Sequence, residues 1–407
     1  MKGDFSRRTF RPERRFAGVL QQQGRVSLDA DWNEQVEIGR YQRQALARDL
    51  IGRCGGPRDA AGFEITPSDD GTGLSIGAGR YYAGGLLAEN HAACAFDEQP
   101  DLPSAGRHLT DAAGKPGRYV ACLDVWERLI TAVEDPDLVD PALGGADTTV
   151  RLKTVWQVGL REVTDKSRTD CGEPTANDRP VLEVRTTDSG YVGLENRLYL
   201  VEVHDAGKAG ATFKWSRENG SVLVALRRVD GATLALDWTR TDRLLPFEPG
   251  VWLELLDDAL ELDGLAGQLL QVAAVEEASG TVKLGGDAPP LAESESGVEP
   301  RLHPKVRRWD GVVEATTGNW LPLEDGIEIS FGDAPGAYRP GDYWTFAARP
   351  ANRSVEWLGP QPASRVEHHC CPLALLEVGP RRRGWRVLGD RRRLFRQLAG
   401  VDRVRCC

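Results

Sequence analysis

The sequence contains no long hydrophobic run. Its opening residues, MKGDFSRRTFRPERRF, have no apolar stretch after the charged positions, and no later segment approaches the length of a membrane-spanning helix. These absences predict a chain with no signal peptide and no direct insertion into a membrane. We therefore expect it to be made and folded in the cytoplasm.

Cysteine is sparse for a chain of this length. Eight cysteines in 407 residues are too few for a disulfide scaffold, and four of them form the adjacent pairs Cys370-Cys371 and Cys406-Cys407. The sequence therefore predicts reduced thiols.

The signatures of several enzyme classes are missing. His204, Asp205 and Ser216 are the residue types of a hydrolase triad, but Ser216 does not lie in the Gly-x-Ser-x-Gly sequence of a nucleophile elbow. No glycine-rich loop lies between a strand pattern and a helix pattern, where it would hold a phosphate. We interpret His204 and Asp205 as the end of a strand that enters a turn.

Two acidic pairs are candidates for glycoside hydrolysis, which needs two carboxylates that face each other across a cleft. They are Asp124 with Glu127 and Asp257 with Asp258. On a regular strand, however, Asp124 and Glu127 point to opposite faces. We favour ion pairs with the many arginines as the role of these acids.

The residues that are present indicate a globular protein with two basic ends. Hydrophobic residues make up 41% of the chain and charged residues 28%, and 45 glycines and 24 prolines favour turns over long helices. The net charge is −10. An acidic body disfavours nucleic-acid binding, while basic ends suit acidic protein surfaces. The terminal arginines include Arg7, Arg8, Arg11, Arg14, Arg15, Arg391, Arg392 and Arg393.

Two-residue alternation of apolar and polar positions dominates the chain. It predicts strands within residues 63–90, 118–133, 149–163, 196–228, 305–309, 327–331, 342–347 and 373–378. Asn219-Gly220 suits a tight hairpin turn. Residues 246–285 place short strands between Asp-Asp, Asp-Gly and Ser-Gly turns, which suits a small inserted barrel.

The predicted fold is mainly β, with a multi-domain antiparallel β-sandwich/barrel architecture, one N-terminal helix and an inserted small β-barrel. The predicted parts are an N-terminal arm and helix (1–54), a small β unit (55–100), the first part of a β-rich main domain (101–245), the inserted barrel (246–290), and the second part of the main domain with a basic C-terminal tail (291–407).

The segment QQQGRVSLDADWNEQ, residues 21–35, is interpreted as the join between a strand and the only long helix. Asp31 and Glu34 have the spacing of a capping box, and Gly52 ends the pattern. The apolar positions recur near helical spacing: Trp32, Val36, Ala45, Leu46 and Leu50. We expect Trp32 to anchor this helix against the β body.

The strongest candidate metal ligands by residue type are His368, His369, Cys370 and Cys371. On a strand, the members of each adjacent pair face opposite sides, so a tetrahedral zinc site would need Cys406 or Cys407 to fold back. Adjacent ligands without a spacer do not match familiar zinc spacings. We expect no cofactor, with zinc at these four residues as the alternative to buried thiols beside two histidines.

Several stretches occur together in an order that is typical of one family. They are MKGDFSRRTF, QQGRVSLDADWNEQ, LDVWERLITAVEDP, ALGGADT with VWQV, NRLYLVEVHD, ATFKWSRENGSV, and EHHCCPLALL with RRRLF. Through them the chain resembles an uncharacterised domain family that is encoded with phage-tail-like contractile injection systems. The sequence departs from this pattern at Cys370-Cys371, where relatives have an aromatic residue and one cysteine.

The resemblance implies a structural, non-enzymatic part of the injection particle, at or near the baseplate. Its partners would be baseplate, spike or sheath proteins, and it would be incorporated into the particle after cytoplasmic synthesis. Because baseplates are symmetric, we expect a homo-oligomer, trimeric or hexameric. Tryptophan and arginine suit such interfaces, and the predicted interface residues are Arg7, Arg8, Phe10, Trp32, Arg391, Arg392 and Arg393.

Two other functions are left open. The chain could be a glycan- or surface-binding module, or a hydrolase, that the particle displays. It could also be a cargo effector. The copy number in purified particles separates a structural part from cargo, since a structural part has a fixed copy number whereas cargo varies and is lost on firing.

Overall fold

A computed structural model describes most of the chain. The described residues are 2–164, 171, 179–206, 210–237, 247–276, 279–288, 293–294, 297–314, 318–332, 338–357, 359–379 and 384–396.

Three α-helices lie in the described residues. They are α1 (Asp29–Ile51), α2 (Ala105–Ala113) and α3 (Asp258–Leu262). None of the helices in this part of the chain is both long enough and apolar enough to cross a membrane. Single turns of 3-10 helix, most of which begin with proline, lie at Pro12–Arg14, Phe96–Glu98, Pro136–Leu138, Pro141–Leu143, Pro300–Leu302 and Pro350–Asn352.

The strands of the first half, in chain order, are β1 (Cys54–Pro57), β2 (Ile65–Pro67), β3 (Leu74–Ile76), β4 (Gly79–Ala83), β5 (Leu86–Asn90), β6 (Cys94–Ala95), β7 (Gly117–Ile130), β8 (Arg151–Glu162), β9 (Val181–Thr186), β10 (Arg197–Asp205), β11 (Thr212–Ser216), β12 (Leu223–Asp230) and β13 (Thr233–Leu236). Those of the second half are β14 (Trp252–Leu256), β15 (Gln268–Glu276), β16 (Thr281–Leu284), β17 (Glu293–Ser294), β18 (Gly297–Val298), β19 (Lys305–Trp309), β20 (Gly311–Glu314), β21 (Leu321–Pro322), β22 (Ile327–Phe331), β23 (Tyr343–Arg349), β24 (Ser354–Glu356), β25 (Gln361–Pro362), β26 (His369–Val378), β27 (Trp385–Asp390) and β28 (Leu394–Phe395).

The mainly β prediction is confirmed, and nearly all strand pairs are antiparallel. The exception among the described strands is β1, which pairs parallel to β28 near the end of the chain. The first core lies around the sheet β27-β26-β7-β8, where the long hairpin of β7 and β8 pairs from Tyr119–Glu162 to Ile130–Arg151. Phe63, Tyr81 and Trp156 are buried in this core.

A β-sandwich holds the second core. The sheet β20-β11-β10-β23-β24 and the sheet β21-β22-β9-β25 bury one set of aromatic side chains between them. Phe213 stacks on Phe331 with ring centroids 3.8 Å apart, and Tyr199 stacks on Phe346 at 5.3 Å. Inward-facing aromatic residues on alternating strand positions explain why this part of the sequence carries a two-residue period.

A closed barrel holds the third core. Its strands follow the order β12-β13-β16-β15-β14-β19 and therefore come from residues 223–309, outside the predicted bounds of 246–290 on both sides. Asn219 and Gly220 both have positive φ, as the predicted turn requires. The strands that they join lie in different sheets, however, so the turn carries the chain from the sandwich into the barrel and does not make a hairpin.

The start of α1 corrects the sequence analysis. The helix begins at Asp29, without a side-chain cap at Leu28, and residues 21–28 form no strand. Asp29 accepts hydrogen bonds from the N–H and the hydroxyl of Ser6, at 2.9 and 2.7 Å. Glu34 accepts one from the Thr9 hydroxyl at 2.6 Å. These acids therefore hold the N-terminal arm (residues 2–28) against the helix, and the predicted capping box is absent.

Candidate functional site

The predicted metal ligands lie at the start of β26, where they turn to opposite faces. His368 and Cys370 both contact Asp124 on β7, at 2.9 and 3.5 Å, and the His368 ring packs against Trp126. Cys371 faces the other way and forms a disulfide with Cys54 on β1. The four residues therefore do not converge on one point.

The chemistry of these side chains does not fit zinc in this state. A disulfide sulfur offers no thiolate, and burial together with the carboxylate of Asp124 raises the pKa of the Cys370 thiol to about 12. Burial also lowers the pKa of His369. Cys406 and Cys407, the other predicted ligands, lie outside the described residues.

The prediction of reduced thiols is wrong for four cysteines. Cys54 pairs with Cys371 across 317 residues of sequence, and Cys122 pairs with Cys171 across 49. Neighbouring residues on a strand point to opposite faces, so Cys371 reaches β1 while Cys370 packs on the same face as Cys122. Cysteine count and spacing cannot reveal partners so far apart. Disulfides of this kind persist in oxidising surroundings.

The candidate catalytic acids are engaged in structural contacts. Glu127 forms an ion pair with Arg40 of α1, and Asp124 holds His368. Asp257 caps α3 by accepting from the N–H of Leu260 at 2.8 Å. The acids on β7 therefore act as joints between elements, in agreement with the favoured interpretation of ion pairing.

The residue types of a hydrolase triad are not arranged as one. The Ser216 hydroxyl accepts hydrogen bonds from the N–H groups of Glu218 and Gly220, at 3.2 and 3.1 Å, and so shapes the turn after β11. Burial lowers the pKa of His204, and the nearby ammonium of Lys214 lowers it further.

A buried lysine joins the barrel to the first sheet. The Lys305 ammonium lies 2.9 Å from Glu134, 3.1 Å from Asp258 and 2.6 Å from Glu261, and its side chain is 0% exposed. Burial opposes its charge, but the three carboxylates outweigh burial and raise its pKa. Arg128 on β7 adds a 3.1 Å contact with Asp258. We call these five residues the Lys305 cluster.

Within the described residues, the three carboxylates of the Lys305 cluster are the one set of possible metal ligands that lie close enough together to hold a metal ion. Oxygen atoms of Glu134, Asp258 and Glu261 lie within 4.8 Å of one another. The Lys305 ammonium already satisfies all three of them, so the arrangement works as a joint between two cores. Burial raises the pKa of Glu261, but Lys305 and two arginines outweigh it and lower the value to about 2.

A second buried charge cluster joins the N-terminus to the sandwich and the barrel. Lys2 contacts Glu202 on β10 at 2.8 Å, and Lys214 on β11 contacts Glu202 at 3.2 Å and also Glu254 on β14. Trp309 donates to Glu254 at 2.8 Å. Burial opposes the charge of Glu202, but Lys2 and Lys214 outweigh it and lower its pKa to about 2. The first residues of the chain are therefore locked to the body.

The N-terminal arm and α1 carry nine of the fifteen large hydrophobic residues that are exposed in the described chain. Only Ala30 and Ile38 of the 23 residues of α1 are buried, and Trp32 is 68% exposed, so it does not anchor the helix as predicted. The exposed apolar residues of this region are Phe16, Leu20, Val26, Leu28, Trp32, Val36, Tyr41, Leu46 and Leu50. Exposed apolar residues in such number are typical of surfaces at which proteins contact other molecules.

The arm lies beside the outward face of α1. The N–H of Val19 donates to Gln35 at 2.6 Å, and Leu20, Val26 and Asp31 line one small depression. Arg11, Arg14, Arg15 and Arg25 are exposed, and no ion pair is formed by them within the described residues. We call the exposed apolar residues of the arm and α1, together with these exposed arginines, the arm–helix surface.

The other predicted interface residues differ in their exposure and in their contacts within the chain. Arg7 and Arg8 are partly exposed and make long ion pairs, 3.8 Å to Glu356 and 3.9 Å to Glu37. The Phe10 ring contacts Tyr41 of α1.

The arginines near the end of the chain also differ in exposure. Arg392 forms ion pairs within the molecule: its side chain is 7% exposed and contacts Asp390 and Glu64. Arg391 and Arg393 are exposed.

Sequence comparison places the chain in a family. A search of curated proteins and a search of solved structures find no match. A family model of unknown function, DUF6519, matches residues 1–171 and 163–385, which is nearly the whole chain. The two matched ranges include the arm–helix surface, both charge clusters and all four disulfide-bonded cysteines. The chain therefore belongs to the DUF6519 family.

Proposed function

We propose that this chain is a structural, non-enzymatic component of a phage-tail-like contractile injection system, attached at or near the baseplate. The observation that supports this most directly is the arm–helix surface. A chain that works alone seldom exposes a contiguous apolar patch, and this one combines exposed Trp32, Leu46 and Leu50 on a single helix. Its rim of arginines suits acidic partner proteins.

The interior of the protein supports the same function. Three cores are joined by the Lys305 cluster, by the cluster around Lys214 and by hydrogen bonds from the arm. Such cross-connection makes a stiff body, as a part that transmits force needs. The two disulfides suit a protein that is made in the cytoplasm and then leaves the cell in a released particle.

Copy number in purified particles tests this function. We expect a constant ratio of the chain to a sheath or tube protein, measured by quantitative mass spectrometry, in extended and in contracted particles. A cargo protein would vary between preparations and fall after contraction. A chain that is absent from particles, or that is lost on firing, would contradict the proposal.

Substitutions on the arm test its role in docking. Deleting residues 1–28 is a poor test, because it removes Lys2 and leaves Glu202 and Lys214 with an altered buried charge balance. We instead expect Leu20→Ser with Val26→Ser to reduce incorporation into particles while the melting temperature stays unchanged. Leu194→Ser is the matched control, since Leu194 is 94% exposed and lies outside the arm–helix surface.

A further inference from the structure

The outward face of α1 repeats with the period of a coiled coil. The positions that make up this stripe, at alternating spacings of four and three residues, are Trp32, Val36, Gly39, Arg43, Leu46 and Leu50. They occupy the a and d positions of about three heptads. A seam of this period is suited to another helix, whereas a helix packed on a sheet shows a broader apolar face.

The apolar ends of the stripe are complementary to each other. In an antiparallel pair of α1 helices with the two-fold axis beside Tyr41, Trp32 of one copy lies opposite Leu50 of the other. In the same register Val36 lies opposite Leu46. Each of these four residues is at least 44% exposed in the single chain, so the pairing would cover all of them. A surface that matches itself across a two-fold axis makes an isologous interface.

The centre of the stripe explains why the two helices would run antiparallel. The same register places Gly39 opposite Arg43, a residue without a side chain opposite a long one. In the single chain the guanidinium of Arg43 fills the space above its own Gly39, with Nη1 3.2 Å from the position that a Cβ would take, so the pairing turns each Arg43 from its own Gly39 to that of the other copy. A parallel pair would instead bring two Arg43 side chains together, and like charges in a seam repel.

On one flank of the stripe, the g positions bring no like charges together. Gln35, Gln42 and Asp49 lie at the g positions, and in an antiparallel pair g positions face one another. Gln42 then meets its own counterpart, and Gln35 meets Asp49. On the other flank Arg40, at an e position, faces its own counterpart, but it is already paired with Glu37 and Glu127 of its own chain.

The helix alone is too small for a stable contact, and the arm makes up the difference. A helix of 23 residues is about 35 Å long and about 10 Å wide, so one face offers on the order of 350 Å². A standard interface needs roughly 800 Å² from each partner. Phe16, Leu20 and Val26 of the arm, which are 52%, 92% and 84% exposed, extend the apolar area beside the stripe.

We propose that the arm–helix surface is a two-fold interface between two copies of this chain, with their α1 helices antiparallel. The inference rests on the proposed function in one respect, namely that arm and helix are docking elements, and it identifies the first partner as a second copy. The exposed arginines of the arm lie at the rim of the pair, where they remain available to other particle proteins.

The mass of the full-length chain in solution tests the pairing. We expect sedimentation velocity at micromolar concentration to give twice the chain mass of 44.6 kDa. Leu46→Glu, which places a carboxylate opposite Val36 twice in each pair, should shift the protein to monomer with an unchanged far-ultraviolet circular dichroism spectrum. Leu194→Glu makes the same chemical change on another exposed leucine and should remain dimeric. A monomeric wild type, or a Leu46→Glu variant that stays dimeric, would overturn the proposal.

Cross-linking tests the orientation. Val36→Cys mixed with Leu46→Cys should give a covalent dimer on mild oxidation, whereas Val36→Cys alone should give no more than the wild type. The wild type measures the background from native thiols such as Cys94. A covalent dimer of Val36→Cys alone would show parallel helices and refute the register.

Two further outcomes separate this inference from its alternatives. Sedimentation of the wild type with phosphatidylglycerol vesicles, abolished by Leu46→Glu, would assign the stripe to a membrane surface and overturn the two-fold interface. A monomeric wild type found at constant copy number in particles would overturn the interface and support the proposed function. A dimeric wild type that is absent from particles would support the interface and overturn the proposed function.

Discussion

Lys305 is buried and Trp32 is exposed, although the chemistry of each side chain favours the opposite environment. Lys305 is a charged residue with a side chain that is 0% exposed, and Trp32 is a large aromatic residue that is 68% exposed. The buried charge has three carboxylate partners inside the chain. The exposed ring belongs to a stripe of apolar neighbours that the chain leaves uncovered. The comparison teaches that the inner junction is complete in one chain, whereas the outer stripe is left exposed by the described residues and is covered only in the two-fold pair that we propose.

Removing the charge at the inner junction should have the largest effect on stability. Lys305→Met keeps the length of the side chain but leaves Glu134, Asp258 and Glu261 facing one another without their shared cation. We expect a loss of about 3–5 kcal/mol in the free energy of unfolding, the usual cost of breaking a buried ion pair on one side. Urea unfolding followed by tryptophan fluorescence measures it.

Lys153→Met is the matched control for this substitution. Lys153 also pairs with a carboxylate, at 2.7 Å from Asp101, but its side chain is 49% exposed. The Asp101 side chain is only 6% exposed, so water screens the ammonium but not the carboxylate, and we expect a smaller loss of about 1–2 kcal/mol. Equal effects of the two substitutions would show that the Lys305 cluster does not hold the cores together.

The disulfides should contribute next, and unequally. Cys54→Ser opens a loop of 317 residues and Cys122→Ser one of 49, so chain entropy favours the first bond by about 1.6 kcal/mol. Each loss should cost about 2–4 kcal/mol and lower the melting temperature. Equal melting temperatures of the wild type with and without reductant would contradict this, and differential scanning calorimetry makes the comparison.

Acid should weaken the inner junction by a smaller amount. The folded protein holds the pKa of Glu261 at about 2, below its ordinary value of 4.5. The stabilising contribution is therefore complete above pH 4.5 and is lost as the pH falls towards 2. We expect a loss on the order of 2 kcal/mol from this residue. Urea midpoints between about pH 6 and about pH 3, with pH as the only variable, should fall more steeply for the wild type than for Lys305→Met, in which Glu261 has lost its nearest cation.

The sequence predicts the strands best where only one face is buried. In β22, for example, buried Ile327, Ile329 and Phe331 alternate with partly exposed polar residues, which is the pattern of a half-buried strand. The end of α1 is predicted for a similar reason, because Gly52 adopts a positive φ that ends a helix at low cost.

The sequence fails where the partner of a residue lies far along the chain. The partners of Cys54, Lys305 and Asp29 are contributed by other elements, and no local pattern points to them. The stripe of α1 fails for a different reason. Its apolar spacing predicts a face packed on the β body, and this prediction is wrong, because Trp32, Leu46 and Leu50 are exposed in the described chain.

The two faces of α1 should differ sharply in their effect on stability. Ile38 is 1% exposed and faces the body, so Ile38→Ala should cost about 2–5 kcal/mol in the free energy of unfolding. Trp32→Ser removes a larger side chain from the same helix, yet in the monomeric Leu46→Glu background it should change that free energy by less than about 0.5 kcal/mol. Urea unfolding of Ile38→Ala and of Trp32→Ser, each in the Leu46→Glu background, makes the comparison. A large loss from Trp32→Ser in the monomer would mean that the ring packs against its own chain, and the arm–helix surface would then be an inner junction like the one around Lys305.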